Sequence, residues 1–415
     1  MMTGPHQSRP GNARNGQRHA HPTCWVTDTH EYALVTRADW HPVIWRRTIG
    51  GGTWSSYDLS GTVIGLVDVT DSHHAVAMGV DHLDRVWIVG NVHADPHKVI
   101  YSAPGSITSW STWSAPSWLT AHSMVSTYHS MDVFSDGQLI WSFDGNTSGG
   151  LGRDWCLLRM NLTTGEWEPC VSDGRVMRVD DVGDPGGGND LLPDRSYLYG
   201  MHVDSDDVVH VVGVWRIDES DMASMTDSFY CRSSNRGTAW ESVTGAAVPA
   251  PFLIGTTLPV AGITMGGNPV GHSTLGSLLV VPIGGESVPA WTGWNADDWY
   301  FVCAYEGGDW GVASLGMPLG DVPSLAWHHD ALLYVYRDTT TGMLVAGPTT
   351  DGSGSRATLG AVNIGTPDGS YAYESGACYW PAPVHVSADP LFMVPDQDSP
   401  SLRRLGVRVD LQGVV

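Results

Sequence analysis

Histidines flank a predicted pair of strands in the stretch 71–93, which reads DSHHAVAMGVDHLDRVWIVGNVH. His73 and His74 precede the first strand, and His93 follows the second, whose apolar run is Val86–Val89. In an antiparallel pair, the start of one strand and the end of the next lie at the same edge of the sheet. Because histidine is the side chain that most often transfers protons in enzymes, this edge is a predicted functional site.

The composition predicts an all-β scaffold for this site. Only 16% of the 415 residues are charged, whereas the chain contains 50 Gly and 19 Trp, a combination typical of many short strands joined by tight turns. No long segment shows the apolar spacing of an amphipathic helix. The apolar content of 42% is sufficient for a large core.

A turn that ends in tryptophan recurs along the chain. The turns TIGGGTW, SAPGSITSW, NLTTGEW, SSNRGTAW and YEGGDW are spaced 56 to 73 residues apart and end at Trp54, Trp110, Trp167, Trp240 and Trp310. DGSGSR at 351–356 resembles a sixth, degenerate turn. This period matches one four-stranded propeller blade with a long loop.

A second repeat, a polar turn followed by β-forming residues, occurs at 80–89, 132–143 and 202–215, with a looser copy at 327–337. Repeats at this spacing suggest a radial array. The sequence therefore predicts that residues 23–415 form a single β-propeller of six to seven four-stranded blades, seven being favoured.

Residues 1–22 differ from the rest, since they contain three arginines, no acidic residue and almost no apolar residue. Such a segment cannot form a core. It is predicted to be either a frayed tail or a flexible basic arm that docks on a partner.

The net charge of −23 argues against a nucleic-acid partner, and the sequence shows neither a membrane span nor a secretory signal. The six scattered cysteines form no C-x-x-C pair and are expected to be buried thiols, so no metal site is predicted from them. The Asp- and Gly-rich loop at 172–198 is either a solvated loop or a structural calcium site, although its spacing does not match an EF-hand.

The segment from Ser233 to Trp240 fits the pattern S-x-[D/N]-x-G-x-x-W. This pattern resembles the Asp-box of bacterial neuraminidase repeats. Asn235 is expected to cap the turn, Gly237 to adopt a positive φ, and Trp240 to pack between blades. An Asp-box marks a propeller but specifies no substrate.

An ordered set of pieces between about residues 70 and 240 resembles the neuraminidase-repeat propellers that include the ulvan lyases. DSHH and GNVHAD resemble that family's two histidine motifs, with His74 and Ala94 where the family has Asn. The Thr-Tyr-Pro motif is matched by Thr-Tyr-His at 127–129, and Asp144 replaces a family arginine. Tyr199 precedes a strand that ends in Trp-Arg, as in the family.

The resemblance implies β-elimination on a polysaccharide containing uronic acid. Apart from the structural calcium alternative, no cofactor is predicted. The implied catalytic residues, which supply base, acid and carboxylate-neutralising contacts, are His73, His93, Tyr128, Tyr199 and Arg216. The implied carbohydrate-binding residues are His74, Asn91, Asp144 and Trp215. Structural alternatives remain open: the histidines as structural hydrogen-bonding groups, the tyrosines as packing groups of the inner strands, and Arg216 paired with Asp218. A carboxylate at Asp144 would repel an acidic sugar where the family has an arginine. This replacement weakens the prediction of catalysis more than the prediction of glycan binding.

Three functional classes follow. The first is a bacteriophage minor tail or tail-tip protein that binds host cell-surface glycan, and in one version cleaves it, with residues 1–22 docking on other tail proteins of the virion. The second is an active polysaccharide lyase, on a virion or extracellular. The third, a sialidase-like hydrolase, is disfavoured by the scarcity of arginines.

Overall fold

The computed structural model describes residues 23–36, 42–48, 55–66, 75–91, 97–115, 125–146, 153–171, 174–178, 195–216, 225–250 and 252–253, together with short ranges between 264 and 408. Within these ranges every regular element is a β-strand, apart from the 3-10 helix η1 at Val63–Leu66. The predicted all-β class is confirmed.

The first two sheets are four-stranded antiparallel meanders, or blades, in which each strand pairs with the next along the chain. Blade 1 consists of β1 (Thr23–Val26), β2 (His30–Thr36), β3 (Pro42–Thr48) and β4 (Ser55–Asp58). Blade 2 consists of β5 (Ala75–Val80), β6 (Val86–Asn91), β7 (Lys98–Ser102) and β8 (Trp110–Trp113).

Blades 3 and 4 belong to one hydrogen-bonded sheet, because β11 and β14 pair in parallel at Arg153 and Arg195. Blade 3 contains β9 (Val125–Val133), β10 (Leu139–Asn146), β11 (Arg153–Met160) and β12 (Trp167–Pro169), with β13 (Arg175–Arg178) also paired to β11. Blade 4 contains β14 (Arg195–Val203), β15 (Val209–Arg216), β16 (Met225–Ser233) and β17 (Trp240–Glu241), extended by β18 (Ala247–Val248). Strand β19 (Phe252–Leu253) pairs with β13.

The chain beyond these blades forms two further meanders. A small hairpin of β20 (Thr264–Met265) and β21 (Asn268–Pro269) comes first. Blade 5 consists of β22 (Leu278–Ile283), β23 (Glu286–Trp294), β24 (Trp299–Glu306) and β25 (Asp309–Pro318). Blade 6 consists of β26 (Ser324–His328), β27 (Ala331–Arg337), β28 (Leu344–Pro348) and β29 (Ala357–Leu359), and β30 (Leu391–Phe392) pairs with β31 (Val407–Arg408).

The blades are arranged through their first strands. Strand β1 contacts β5, β5 contacts β9, β9 contacts β14, β14 contacts β22, and β22 contacts β26. Successive meanders joined along their innermost strands are the architecture of a β-propeller. The described ranges contain six blades, and the choice between six and seven for the whole ring stays a prediction.

The stacking of blades explains why central strands are apolar without alternation. In β6, all four residues of the run Val86–Val89 are buried, because both faces of the strand are covered by neighbouring blades. Trp87 of blade 2 makes an edge contact with Trp167 of blade 3, with 5.7 Å between ring centroids. One core cluster continues through blades 1 to 3, and a second lies between blades 3 and 4.

The second sequence repeat is the hairpin between the first and second strands of blades 2, 3, 4 and 6. Asp81 Oδ1 accepts hydrogen bonds from the amides of Leu83 and Arg85, both at 2.9 Å. Asp204 makes the same pair of bonds, to Asp206 and Val208. The position three residues after each aspartate has a positive φ, 57° at Asp84 and 61° at Asp207. Equal chemistry at equal offsets confirms that the two hairpins are copies.

The turn-tryptophan repeat joins the third and fourth strands. Trp110, Trp167 and Trp240 each begin a fourth strand, and Trp310 is the second residue of β25. Trp54 and the turn at 351–356 lie outside the described residues, but β4 and β29 begin directly after them. The predicted repeat is therefore confirmed at four positions. Residues 1–22 also lie outside the described residues.

Candidate functional site

One edge of the blades, the site edge, is formed where first strands begin and second strands end. The register places Ala75 opposite Asn91 in blade 2, Val125 opposite Asn146 in blade 3, and Arg195 opposite Arg216 in blade 4. The hairpin turns and the tryptophan turns lie at the opposite edge. Antiparallel pairing thus separates the turn motifs from the site edge by the full length of the strands.

Six of the nine predicted site residues have described backbones, and all belong to first or second strands of blades 2 to 4: Asn91, Tyr128, Asp144, Tyr199, Trp215 and Arg216. Five of them lie in the half of their strand nearer the site edge, whereas Tyr199 is the middle residue of β14. His73, His74 and His93 lie outside the described residues. In the sequence, His74 directly precedes β5 and His93 follows β6 by two positions. The shared edge fits the predicted site, while the convergence of the side chains stays a prediction.

Two of the predicted residues lie at β-bulges. In blade 3, Ser130 pairs with Ser142 and Thr127 with Asp144, so Tyr128 and His129 together oppose Phe143. In blade 4, Tyr199 is the extra residue between Leu198 and Gly200. Both bulges fall at the same distance from the hairpin turn of their blade. Bulges concentrate beside functional sites because they redirect a strand and its side chains.

A buried aromatic cluster lies beside the blade 3 bulge. The indole Nε1 of Trp141 donates a hydrogen bond to His129 Nδ1 at 3.1 Å. The ring of His97, which precedes β7 of blade 2, lies 4.7 Å from that of Phe143 and 5.2 Å from that of Trp141. Burial lowers the pKa of His97 to about 3, so this imidazole stays neutral at physiological pH.

Sequence reasoning did not assign a role to His97 or His129. Two signals were present: His129 directly follows Tyr128, and His97 is four residues after His93. The contact between them joins blades 2 and 3 and depends on positions 32 residues apart, which no local pattern reveals.

The Asp-box turn has the predicted contacts. Asn235 Oδ1 accepts the amide of Ala239 at 2.7 Å, and Ser233 Oγ accepts the amide of Gly237 at 2.8 Å. Gly237 has a φ of +87°. Trp240 lies edge-on to Trp155 of blade 3, with ring centroids 5.2 Å apart. The predicted capping, positive φ and packing between blades are all confirmed.

Arg236 of this turn forms salt bridges that join blades 3 and 4. Its guanidinium lies 2.6 Å from Asp136 and 2.8 Å from Asp207, each in a hairpin turn of one of these blades. It also lies over the ring of Phe134, 4.6 Å from the centroid. The Asp-box is therefore structural, and it contributes to the edge opposite the site.

Comparison with known families decides the assignment. The sequence profile described as "BNR repeat-containing family member" matches residues 30–274, more than half of the chain. The chain belongs to the family of BNR repeat-containing proteins. The match extends beyond the region of about 70 to 240 in which motifs were recognisable. A search of curated protein sequences gave no significant match.

Solved structures with the fold of this BNR protein include two lyases. A PL25 ulvan lyase, a polysaccharide lyase bound to -[GlcA(1-4)Rha3S]-, superposes with a TM-score of 0.62 at 13% identity, covering 85% of this chain and 87% of that one. The polysaccharide lyase Uly1 gives 0.57 at 14% identity, covering 86% and 83%. Identities this low establish a common fold only. A sialidase of Trypanosoma rangeli gives 0.44 at 12% identity, covering 82% and 56%, which supports no inference about function.

An ion pair lies near the site edge of blade 3 in this BNR propeller. Asp154, which pairs in register with Gly145, is buried, and its carboxylate lies 3.2 Å from Arg175 Nη1. Because Asp154 already neutralises it, Arg175 is poorly suited to hold an acidic sugar. Arg216 therefore remains the arginine assigned to that role by prediction.

The described residues contain neither a cluster of metal ligands nor a helix that could cross a membrane. No group of three or more His, Cys, Asp or Glu residues there could hold a metal ion. Most of the predicted calcium loop lies outside that part of the chain, so the calcium alternative stays a prediction. None of the described helices is long and apolar enough to span a membrane. Cys156, Cys170 and Cys231 are buried free thiols, as predicted for the cysteines.

Proposed function

We propose that this BNR propeller binds an acidic, uronic acid-containing polysaccharide at the site edge of blades 2 to 4. The observation that supports the proposal is the strand register, in which five of the six predicted site residues with described backbones belong to the site-edge halves of their strands. The bulges at Tyr128 and Tyr199 add to it, because such irregularities adjoin functional sites. A lyase with this fold bound to a saccharide containing GlcA gives the same substrate class.

The chemistry of the predicted residues suits such a ligand. Trp215 and the two bulge tyrosines offer aromatic surfaces on which sugar rings stack. Arg216 offers a planar guanidinium that binds a carboxylate through two hydrogen bonds. His73, His74, His93 and Asn91 supply further hydrogen-bonding groups. Asp144 would disfavour a carboxylate beside it, which restricts where an acidic residue of the polymer is accommodated.

The proposed setting is a bacteriophage tail, in which the propeller binds host cell-surface glycan. The support is compositional: residues 1–22 combine three arginines with no acidic residue, which suits docking on an acidic surface of the particle. An extracellular protein with the same glycan-binding edge is the alternative.

Cleavage of the bound polymer by β-elimination is a second candidate, favoured by the predicted histidines. A base removes the C5 proton of the uronic acid while Arg216 or a histidine neutralises its carboxylate. The C4–O bond breaks, a C4–C5 double bond forms, and an acid protonates the leaving oxygen. Tyr128, Tyr199, His73 and His93 are the proposed proton donors and acceptors.

One experiment separates binding from cleavage. The purified protein is incubated with alginate, polygalacturonate, hyaluronan and a polymer of -[GlcA(1-4)Rha3S]-, while binding and the ultraviolet absorbance of the unsaturated product are both measured. Binding that is lost in Arg216→Ala supports the proposal, and an absorbance rise that His93→Ala abolishes adds cleavage. Arg232→Ala and His82→Ala, at the opposite edge, are the matched controls and should behave like wild type. Absence of binding to these polymers and to host cells would refute the proposal.

A further inference from the structure

The blade 3 bulge is held by a hydrogen bond between side chains. His129 is 2% exposed and Trp141 is fully buried, so the bond from Trp141 Nε1 to His129 Nδ1 is shielded from water. An indole N–H is only a donor, so Nδ1 must be the acceptor. The neutral His129 ring therefore carries its proton on Nε2.

This bond crosses the bulge itself. His129 is one of the two β9 residues that oppose Phe143, and Trp141 is two residues from Phe143 on β10. A bulge interrupts the regular ladder of backbone bonds, so the ladder alone holds its position weakly. A shift of the bulge by one residue would turn the side chains of the adjoining strand segment to the opposite face.

Neighbouring rings restrict the pair further. His97 makes edge contacts with Trp141 and Phe143, and its centroid lies 5.9 Å from that of His129. Residues from two strands of blade 3, β9 and β10, therefore meet the residue that directly precedes β7 of blade 2. Replacing any of these rings by a smaller side chain would leave a cavity in a packed core.

We propose that His129 is a positioning residue for glycan recognition: its bond to Trp141 fixes the β9 bulge and thereby sets which residues of β9 lie opposite Asp144–Asn146 at the site edge. In the observed register those residues are Val125–Thr127, directly before Tyr128. The inference rests on the proposed function for its ligand, whereas the fixing of the bulge is a property of the free protein.

Two variants of His129 and a matched histidine at the opposite edge test this role. His129→Asn keeps an acceptor near the Nδ1 position, and His129→Leu removes it at similar volume. His210 is the control because it is 1% exposed and also bonded, to Tyr230 at 2.6 Å and to Asp204 at 2.9 Å. His210→Leu should reduce the unfolding midpoint without altering the site edge.

The first measurement needs no ligand. Amide hydrogen exchange is followed at Val125–Thr127 and Asp144–Asn146 in the free full-length protein. His129→Leu should accelerate exchange there, while His129→Asn and His210→Leu should match wild type. Unchanged exchange in His129→Leu would overturn the positioning role.

The second measurement is the affinity for whichever polymer of the same panel binds wild-type protein. His129→Leu should weaken binding about tenfold, as expected for loss of one ordering hydrogen bond, while His129→Asn should stay within about threefold of wild type. Wild-type affinity in His129→Leu would refute the inference. If wild-type protein binds no polymer, the proposed function fails, and hydrogen exchange alone decides whether His129 fixes the bulge.

Discussion

At the scale of single residues, Gly237 has a position that no other residue can occupy without strain. Its φ of +87° is in the region that favours glycine. A Cβ at this position would lie 2.7 Å from Leu157 Cδ2 and 3.1 Å from Cys170 Sγ. The blade interface therefore reaches directly to the backbone of the Asp-box turn.

We expect Gly237→Ala to destabilise the protein by roughly 2–4 kcal/mol, because backbone strain adds to overpacking. Gly245→Ala is the control: its φ is +81°, but no heavy atom lies within 4 Å of the added Cβ. The control should cost only about 1–2 kcal/mol, from backbone strain alone. Urea unfolding followed by tryptophan fluorescence measures both, and equal losses would contradict the proposed steric contribution.

At the scale of elements, the hairpin between β14 and β15 depends on Asp204. Besides its two backbone bonds, the carboxylate lies 2.9 Å from His210 Nε2, and the carboxylate is 6% exposed. Burial opposes its ionisation, but hydrogen bonds from His210, Val208 and Asp206 lower the pKa of Asp204 overall. In the folded state the ionised form is therefore favoured.

This shift gives an acid-dependent loss of stability. A carboxyl whose pKa is lower when folded stabilises fully above its unfolded pKa of about 3.9, and the stabilisation disappears as pH falls through the lower folded value. Asp204→Asn should lower the free energy of unfolding by roughly 1.5–3 kcal/mol at neutral pH, the usual contribution of a charged hydrogen bond. It should also reduce the decrease in this free energy as the pH falls to acid values.

The free energy of unfolding, measured by urea titration between pH 3 and neutrality, checks this prediction. Asp206→Asn, an exposed residue of the same turn, is the control and should retain the wild-type profile. If Asp204→Asn loses as much stability at acid pH as wild type does, other carboxyl groups dominate the acid-dependent loss.

At the scale of the whole molecule, contacts between neighbouring blades stabilise the array. Adjacent blades are joined by the salt bridges of Arg236 and by two ring contacts, Trp87–Trp167 and Trp155–Trp240. Within the described residues, these contacts bind blade 2 to blade 3 and blade 3 to blade 4.

Deleting residues 1–22 should leave the unfolding midpoint unchanged but prevent incorporation into phage particles. A variant with Arg9, Arg14 and Arg18 replaced by Ser keeps the length and should fail similarly if charge drives docking. Incorporation is measured by complementing a phage that lacks the gene and probing purified particles. Normal incorporation of the truncated protein would refute the proposal that residues 1–22 attach the protein to the particle.

The blade pattern was predictable because its signals are local. A turn such as Ser233–Trp240 closes through bonds between residues two to four apart, so its composition alone specifies it. The hairpin turns at Asp81 and Asp204 behave in the same way. Repetition of such turns then predicted a radial all-β array.

The sequence by itself thus determined the fold class, the repeated turns and the family of this protein. Only the tertiary structure decided which edge each motif occupies, where β9 and β14 bulge, and that His97 packs against His129 and Trp141. The edges and bulges depend on the register in which whole strands pair, and the His97 contact depends on packing between two blades. Local composition encodes neither of these.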